Sequence, residues 1–574
     1  MEHKICDLSV SLRHTAAFAA ASETQAPAGL EGDRSVMTKT YKYLLPLLLC
    51  LAPLTARAQS FRVQCPTSTV THPDPGNKGV NNAEPAYNGP TTLTTGAGEF
   101  VTPTANVNGA IKCMQISGGD GYATMADGTQ TFMFSFGPLA GLADIAAGKP
   151  GPQFPNVFNT VYPGTLLPGD PAVTVDGGGA FSYNGAVGLI PDTDAIANGL
   201  CTAPCLDGHV DPRQIMDIGV MNGNIPAPLM AIDEDDEYFL TLSNVGMIMR
   251  PDLFEQHTVH FHGYPNASSV YDGVPDASVA INIGASFTYY YLAPDAGTYF
   301  WHCHITPPEH LQMGMVGQLF VRPRQNRVQV GHSLLAALQQ QQTDNRTKCD
   351  SNADILCGNP IPLVNTGANR AATGNYAYND GDASTYYDVE YPLQIHGFDP
   401  NFHFVGMTFN PEGFADMKDK YFLLNGRSYP DTVMAGTMET AAADGRGHFS
   451  QPMSAIVNIT AGQRALLRIS DLDVSEYQTL ASIGVRMTVI ALNAKLLRDQ
   501  AGNNLFYSTN SITLGGGESL DVILDTCTVA RPDPSVTCTA PMATGTYYLY
   551  TPNLDHLSND AENFGGLMTE VHVN

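Results

Sequence analysis

The sequence predicts an all-β protein, of sandwich or barrel architecture, repeated in two halves. Two observations carry this expectation. Short runs of β-forming residues alternate with turn clusters, fed by 55 glycines and 39 prolines, while helical periodicity is scarce. There is also an internal repeat: "VMNGNIPAPLM" (220–230) is echoed by "FLLNGRSYPDTVM" (422–434). In the same way "GASFTYYYLAPDAGTYFWHCH" (284–304) is echoed by "GGESLDVILDT" (516–526), a loop bounded by Cys527 and Cys538, and "GTYYLYTP" (545–552).

Along the chain, residues 1–36 read as an over-extended start. Residues 37–58 read as an export signal, with Lys39 and Lys42 ahead of the apolar run Leu44 to Leu54 and an Ala56-Arg57-Ala58 cleavage site. That run is too short to span a bilayer as a mature helix, so the expected location is periplasmic or extracellular, without membrane insertion. The first β-domain is expected over 59–325, with a Gly/Pro-rich insertion at about 141–213. Its strands include "EYFLTLSNV", "SFTYYYLA" and "GTYFWHCH". A Gln/Asn/Thr-rich linker follows at 326–387, containing the best short helix candidate, "HSLLAALQQQQ" (332–342). The second β-domain, 388–574, carries "ALLRISDL", "RMTVIALNA" and "TYYLYTP" as strands.

With 28 basic and 55 acidic residues the net charge is −27, which repels nucleic acid and anionic lipid. The run "DEDDE" (233–237) reads as a solvated strand entry. Export permits disulfides, and neighbours in sequence suggest Cys201–Cys205, Cys349–Cys357, Cys527–Cys538 and Cys65–Cys113. Cys303 is left over as the odd thiol.

The stretch "FWHCHITPPEHLQMGM" (300–315) concentrates ligand chemistry around that thiol. Cys303, His310 and Met315 offer a thiolate, an imidazole and a weak thioether, the donor set of a redox copper. Soft sulfur suits Cu(I), imidazole tolerates Cu(II), and a compromise geometry eases cycling between them. Met313 is the rival axial donor. A structural zinc would not normally take the methionine. The other histidine cluster, "HTVHFHG" (257–263), supplies His257 as the natural fourth ligand. Side chains alternate along a strand, so His302 and His304 share the face opposite Cys303. His260 and His262 likewise share one face, and His257 points to the other. Four imidazoles then converge on a second site, one residue away from the first.

At these residues the sequence resembles the multicopper oxidases. "HTVHFHG" is similar to that family's H-x-x-H-x-H pattern, and "HCHITPPEHLQMGM" to its H-C-H…H…M pattern. The resemblance implies two cupredoxin-like Greek-key β-sandwich domains, copper as cofactor, and no catalytic groups beyond the metal ligands. It implies His257, Cys303, His310 and Met315 at a type 1 copper, and His260, His262, His302 and His304 at type 2/type 3 positions. The implied partners are a small reductant (metal ion, phenol or redox protein) and dioxygen. Two departures matter. The loop between His304 and His310 is longer than the family's usual spacing and holds Pro307-Pro308. In the second half Tyr550, Thr551 and Pro552 stand where the repeat aligns His302, Cys303 and His304, so half of the family's histidine set is missing.

Three functions are therefore weighed: an exported copper oxidase; a non-enzymatic blue-copper electron-transfer or copper-handling protein; and an enzyme like the copper nitrite reductases. The last group also resembles this chain, and it borrows a histidine between subunits. His556 is the candidate donor in such a homo-oligomer, or else a surface histidine.

Overall fold

The computed structural model describes residues 69–73, 85–94, 103–139, 141–147, 199, 202, 218–263, 268–293, 295–343, 359–407, 413–531 and 535–574. The expected signal at 37–58, most of the insertion at 141–213, and the cysteines 65, 201, 205, 349 and 357 lie outside them. Among the described residues Cys527 and Cys538 form a disulfide, and Cys303 is a free, buried thiol.

Two pairs of facing sheets dominate the described residues, beside three two-stranded ones, and the all-β character is as expected. The first pair uses β1 (Ile111–Thr124), β2 (Gln130–Pro138), β3 (Met230–Asp233), β4 (Glu237–Gly246), β5 (His260–Phe261), β6 (Ser286–Leu292), β7 (Gly297–His302) and, after the helix α1 (Pro307–Gln312), β8 (Val316–Arg322). One sheet runs β2-β1-β4-β6 and the other β3-β8-β7-β5. Their inner faces meet in one core: Ile116, Phe134, Phe136, Leu240 and Tyr289 from the first sheet pack with Phe261, Tyr299, Trp301 and Leu319 from the second. Burying such faces against each other is what makes a sandwich stable.

The segment expected as a linker is packed where it is described. Helix α2 (Leu334–Gln341) is capped by the Ser333 hydroxyl, which accepts from the Ala336 N–H at 3.2 Å. Leu334 joins Ala368, Tyr376, Ala383 and Tyr386 in a small core of its own.

The second pair of sheets uses β9 (Val389–Phe398), then helix α3 (Pro400–Met407), β10 (Tyr421–Leu424), β11 (Val457–Ile459), β12 (Arg464–Asp471), β13 (Gln478–Ile483), β14 (Met487–Leu492), β15 (Ser511–Leu514), β16 (Ser519–Asp525), β17 (Gly545–Tyr550) and β18 (Met568–Val573). Its sheets run β10-β9-β12-β16-β14, continued by Lys495–Leu496, and β11-β18-β17-β13-β15. Leu393, Leu467 and Val522 of one meet Val457, Leu549 and Val571 of the other.

The run Asp233–Glu237 corrects its expectation. All five residues are buried, not solvated, and each finds a partner. Lys112 Nζ stands 3.1 Å from Asp233 and 2.6 Å from Asp236, Arg324 pairs with Asp235 at 2.6 Å and also contacts Glu234, and the His72 ring meets Glu237 at 2.6 Å. Buried carboxylates persist because cations and donors replace the water they lose.

Candidate metal centre

Strand β7 sorts the site by parity. Tyr299 and Trp301 point into the first core, and Cys303 follows on that side, fully buried. Phe300 packs instead with Leu423 and Leu472 of the second half, and His302 lies on its face, its ring stacked on Phe300 at 5.1 Å. Ligands one residue apart are therefore turned to opposite sides of one strand.

On the core side, His257, Cys303 and His310 bring their donor atoms within 4.8 Å of one another. His310 Nδ1 stands 3.2 Å from Cys303 Sγ, and the Thr258 N–H donates to the same sulfur at 3.4 Å. His257 is fully buried, and neither ring nitrogen has a hydrogen-bond partner. An orphaned imidazole is costly in a core unless something else takes its lone pair. Burial, then the neighbouring His310, holds its pKa well below the usual value, so it is neutral and able to ligate. Burial also lowers His310, but the Cys303 sulfur and Glu255 prevail and push it up to about 9. Glu255 accepts from His310 Nε2 at 3.3 Å, which fixes Nδ1 toward the sulfur. Met313 and Met315 are both buried in this core, and the Cys303 N–H donates to the Met315 carbonyl at 3.1 Å.

On the opposite side, His260, His262 and His302 form a second group within 4.8 Å. His302 Nδ1 donates to the Cys303 carbonyl at 2.7 Å and His260 Nδ1 to the Asp272 carbonyl at 2.6 Å. A carbonyl only accepts, so each Nδ1 carries the proton and each Nε2 keeps a lone pair. His262 bonds the Gly517 backbone. His262 Nε2 and His302 Nε2 stand 2.9 Å apart, an arrangement that calls for a shared cation. Burial and the neighbouring imidazoles lower His262 to about 4 and hold His302 well below its usual value. His304 sits at the edge, its ring 5.0 Å from His260 and 5.4 Å from His302. This second set also fits a metal.

The loop between the sites turns through Thr306 in the left-handed region, after which Pro307 and Pro308 open α1. Across this loop His310 reaches Cys303. The second half holds α1 from outside. His396 Nε2 donates to the Leu311 carbonyl at 2.8 Å, His403 Nε2 lies 3.0 Å from the Gln312 carbonyl, and Gln312 donates to Asp419 at 2.9 Å. Beyond α1 a cavity of about 590 Å³ opens between the halves, lined by His262, Phe300, Pro308, Leu311, Asp473 and Glu476.

Residues 207–326 match the family model described as multicopper oxidase. This stretch belongs to the multicopper oxidase family. The chain is 33% identical over 109 residues to a laccase of Aspergillus fumigatus, covering 19% of this chain and 17% of that protein. It is 34% identical over 109 residues to a copper-containing nitrite reductase of Rhizobium meliloti, with 18% and 26% covered. L-ascorbate oxidase of Cucumis sativus is 30% identical over 118 residues, with 20% and 18% covered. The similarity thus spans about a sixth to a quarter of each relative. Among solved structures, a blue copper oxidase from Nitrosomonas europaea superposes with a TM-score of 0.43 at 16% identity, covering 81% of this chain and 86% of that one.

The structure gathers seven of the eight expected ligand residues into two clusters or against them, with Met315 alongside in the core. Sequence reasoning missed Glu255 and Gly118. Glu255 lies two residues before His257, but its contact with His310 spans 55 positions. Gly118 gives way to His257: a Cβ there would stand 2.6 Å from the ring. His556 is not a surface residue. It is buried, with both ring nitrogens engaged by Gln478 and Glu476 of its own chain, so it is not presented to a neighbouring subunit.

Proposed function

We propose that the protein is an exported copper oxidase. A small reductant would deliver electrons at copper held by His257, Cys303, His310 and Met315, and dioxygen would be reduced at copper held by His260, His262 and His302, with His304 beside them. The observation that carries this reading is that Cys303 and His302 are adjacent in the chain yet belong to different clusters. Bound copper supplies one-electron exchange at the first cluster and oxygen chemistry at the second.

The chain's own residues supply the rest. Thr258 N–H steadies the Cys303 thiolate, and Glu255 orients His310. The bond from His302 Nδ1 to the Cys303 carbonyl joins the clusters by a covalent and hydrogen-bonded path of one residue. The cavity against His262 admits small molecules to the second cluster.

Copper counting with visible and paramagnetic spectra tests the proposal, together with oxygen uptake using phenolic and cuprous donors. Thiolate-copper absorption, more than one copper per chain and uptake lost in His304→Ala are expected. A single copper and no uptake would overturn it. The second reading, an electron-transfer protein, is favoured by the second half meeting His262 with Gly517 and not with an imidazole. Steady oxygen turnover would exclude it.

A further inference from the structure

The second half repeats the strand register of the frame that surrounds Cys303. In the first half His260 pairs across the sheet with His302, and His302 with Val316. In the second half Ala481 pairs with Tyr550, and Tyr550 with Met568. Counting from these anchors, His257 corresponds to Gln478, Cys303 to Thr551, and Met315 to Leu567.

The hydrogen bonds follow the same correspondence. The Cys303 N–H donates to the Met315 carbonyl at 3.1 Å, and the Thr551 N–H to the Leu567 carbonyl at 2.9 Å. The Met315 N–H donates to the His310 carbonyl at 2.9 Å, and the Leu567 N–H to the His556 carbonyl at 3.0 Å. His310 therefore corresponds to His556. Each of these histidines bonds through Nε2 to a glutamate, Glu255 at 3.3 Å and Glu476 at 2.9 Å, and each glutamate lies two residues before the position of the other ligand. Each ring also lies against a phenylalanine, Phe134 at 5.0 Å and Phe422 at 3.9 Å. Thr551, Leu567 and Gln478 are fully buried.

We infer that the second half is a former type 1 copper site that has lost its sulfur ligands while its frame remains competent to hold copper. The inference rests on the first-half reading only for the metal it names. What remains is one imidazole, an amide, a hydroxyl and an aliphatic side chain. Without thiolate and thioether nothing selects a soft redox copper. His556 Nδ1 accordingly turns to Gln478 Oε1 at 2.9 Å, and the position closes as a hydrogen-bonded core. This explains how the chain keeps two similar halves with copper motifs in one: three side chains and the loop around the histidine differ, while the strand register and its hydrogen bonds are kept.

The test restores those side chains. Gln478→His, Thr551→Cys and Leu567→Met are combined in a Cys303→Ser background, so that any thiolate-copper band arises in the second half. After copper loading, visible and paramagnetic spectra should show a type 1 signal absent from Cys303→Ser alone. A variant that keeps the parent's circular dichroism and melting but gains no such signal overturns the inference. Leu567→Met nearly conserves volume, whereas Gln478→His gives up a 2.6 Å bond to Asp473 and is the change that threatens folding. Thr551→Cys alone in the same background is therefore read with Co2+, where a thiolate-to-cobalt band is expected. A folded single variant with a titratable thiol and no band also overturns it. Because both arms lack Cys303, they are independent of whether the first half proves to bind copper.

Discussion

Around Cys303 the chemistry is set by very few atoms. The Thr258 amide points at the sulfur, His257 keeps two unsatisfied nitrogens, and Gly118 on β1 leaves room for that ring. Gly118→Ala would drive a methyl group into an imidazole that cannot swing aside. We expect it to shift the thiolate-copper absorption and hyperfine splitting while leaving the His260/His262/His302 copper signal unchanged. Spectra of the copper-loaded variant check this. Protons also compete for the site. His310, raised to about 9, is protonated in metal-free protein at neutral pH and must lose that proton to ligate. Apparent copper affinity at this site should thus rise by about tenfold per pH unit below that value and level off above it. Titrations at several pH values read the slope, and a flat profile would contradict the assignment. The ligand spacing and the split between strand faces were legible in the sequence because alternation is local. Glu255 and Gly118 were not, because each acts across a fold no local pattern encodes.

At the level of elements, the site depends on α1, a helix of six residues opened by two prolines. So short a segment has no periodicity to read, whereas "EYFLTLSNV" and "TYYLYTP" announced β4 and β17 by composition alone. What keeps α1 in place is also invisible from sequence: His396 and His403, scattered singles there, are buried clamps on its last carbonyls. Gln312 completes the hold, donating to Asp419 and accepting from the Asp399 N–H at 3.0 Å. Gln312→Leu strands both partners in a buried setting, at a cost of about 1–3 kcal/mol. The expected result is a lower melting temperature together with faster loss of thiolate-bound copper to a chelator. A merely global destabilisation would leave chelator loss at low temperature unchanged. The acidic run 233–237 was misread for a related reason. Its cations, Lys112 and Arg324, lie far away in sequence.

Across the whole molecule, the copper-motif half and the second half meet through a charged seam. Strand β7 contributes Thr298, which donates to Asp521 at 2.6 Å, and accepts at its carbonyl from Ser519 at 2.7 Å. Arg468, fully buried, donates to the Thr298 hydroxyl at 3.2 Å and lies 4.7 Å over the Phe320 ring. Its guanidinium also stands 3.5 Å from Glu390 and 3.7 Å from Asp521. In a chain of net charge −27 this cation offsets the buried Asp521 and shares the half-buried Glu390 with Arg322, which stands 3.4 Å from it. Arg468→Met keeps much of the volume and leaves Glu390 its Arg322, but it takes the cation from buried Asp521, and breaking a buried pair in this way costs about 3–5 kcal/mol. The ion pairs lie on the second half's own sheet, but the same side chain reaches Thr298 and Phe320 across the boundary, so the contact between halves weakens with them and their unfolding should uncouple. Calorimetry is expected to resolve two transitions in the variant where the parent shows one. The second cluster should weaken with the seam, because Gly517 reaches His262 from the far side of it. A single, merely shifted transition with the second copper signal intact would show that the halves are held together by something other than this seam.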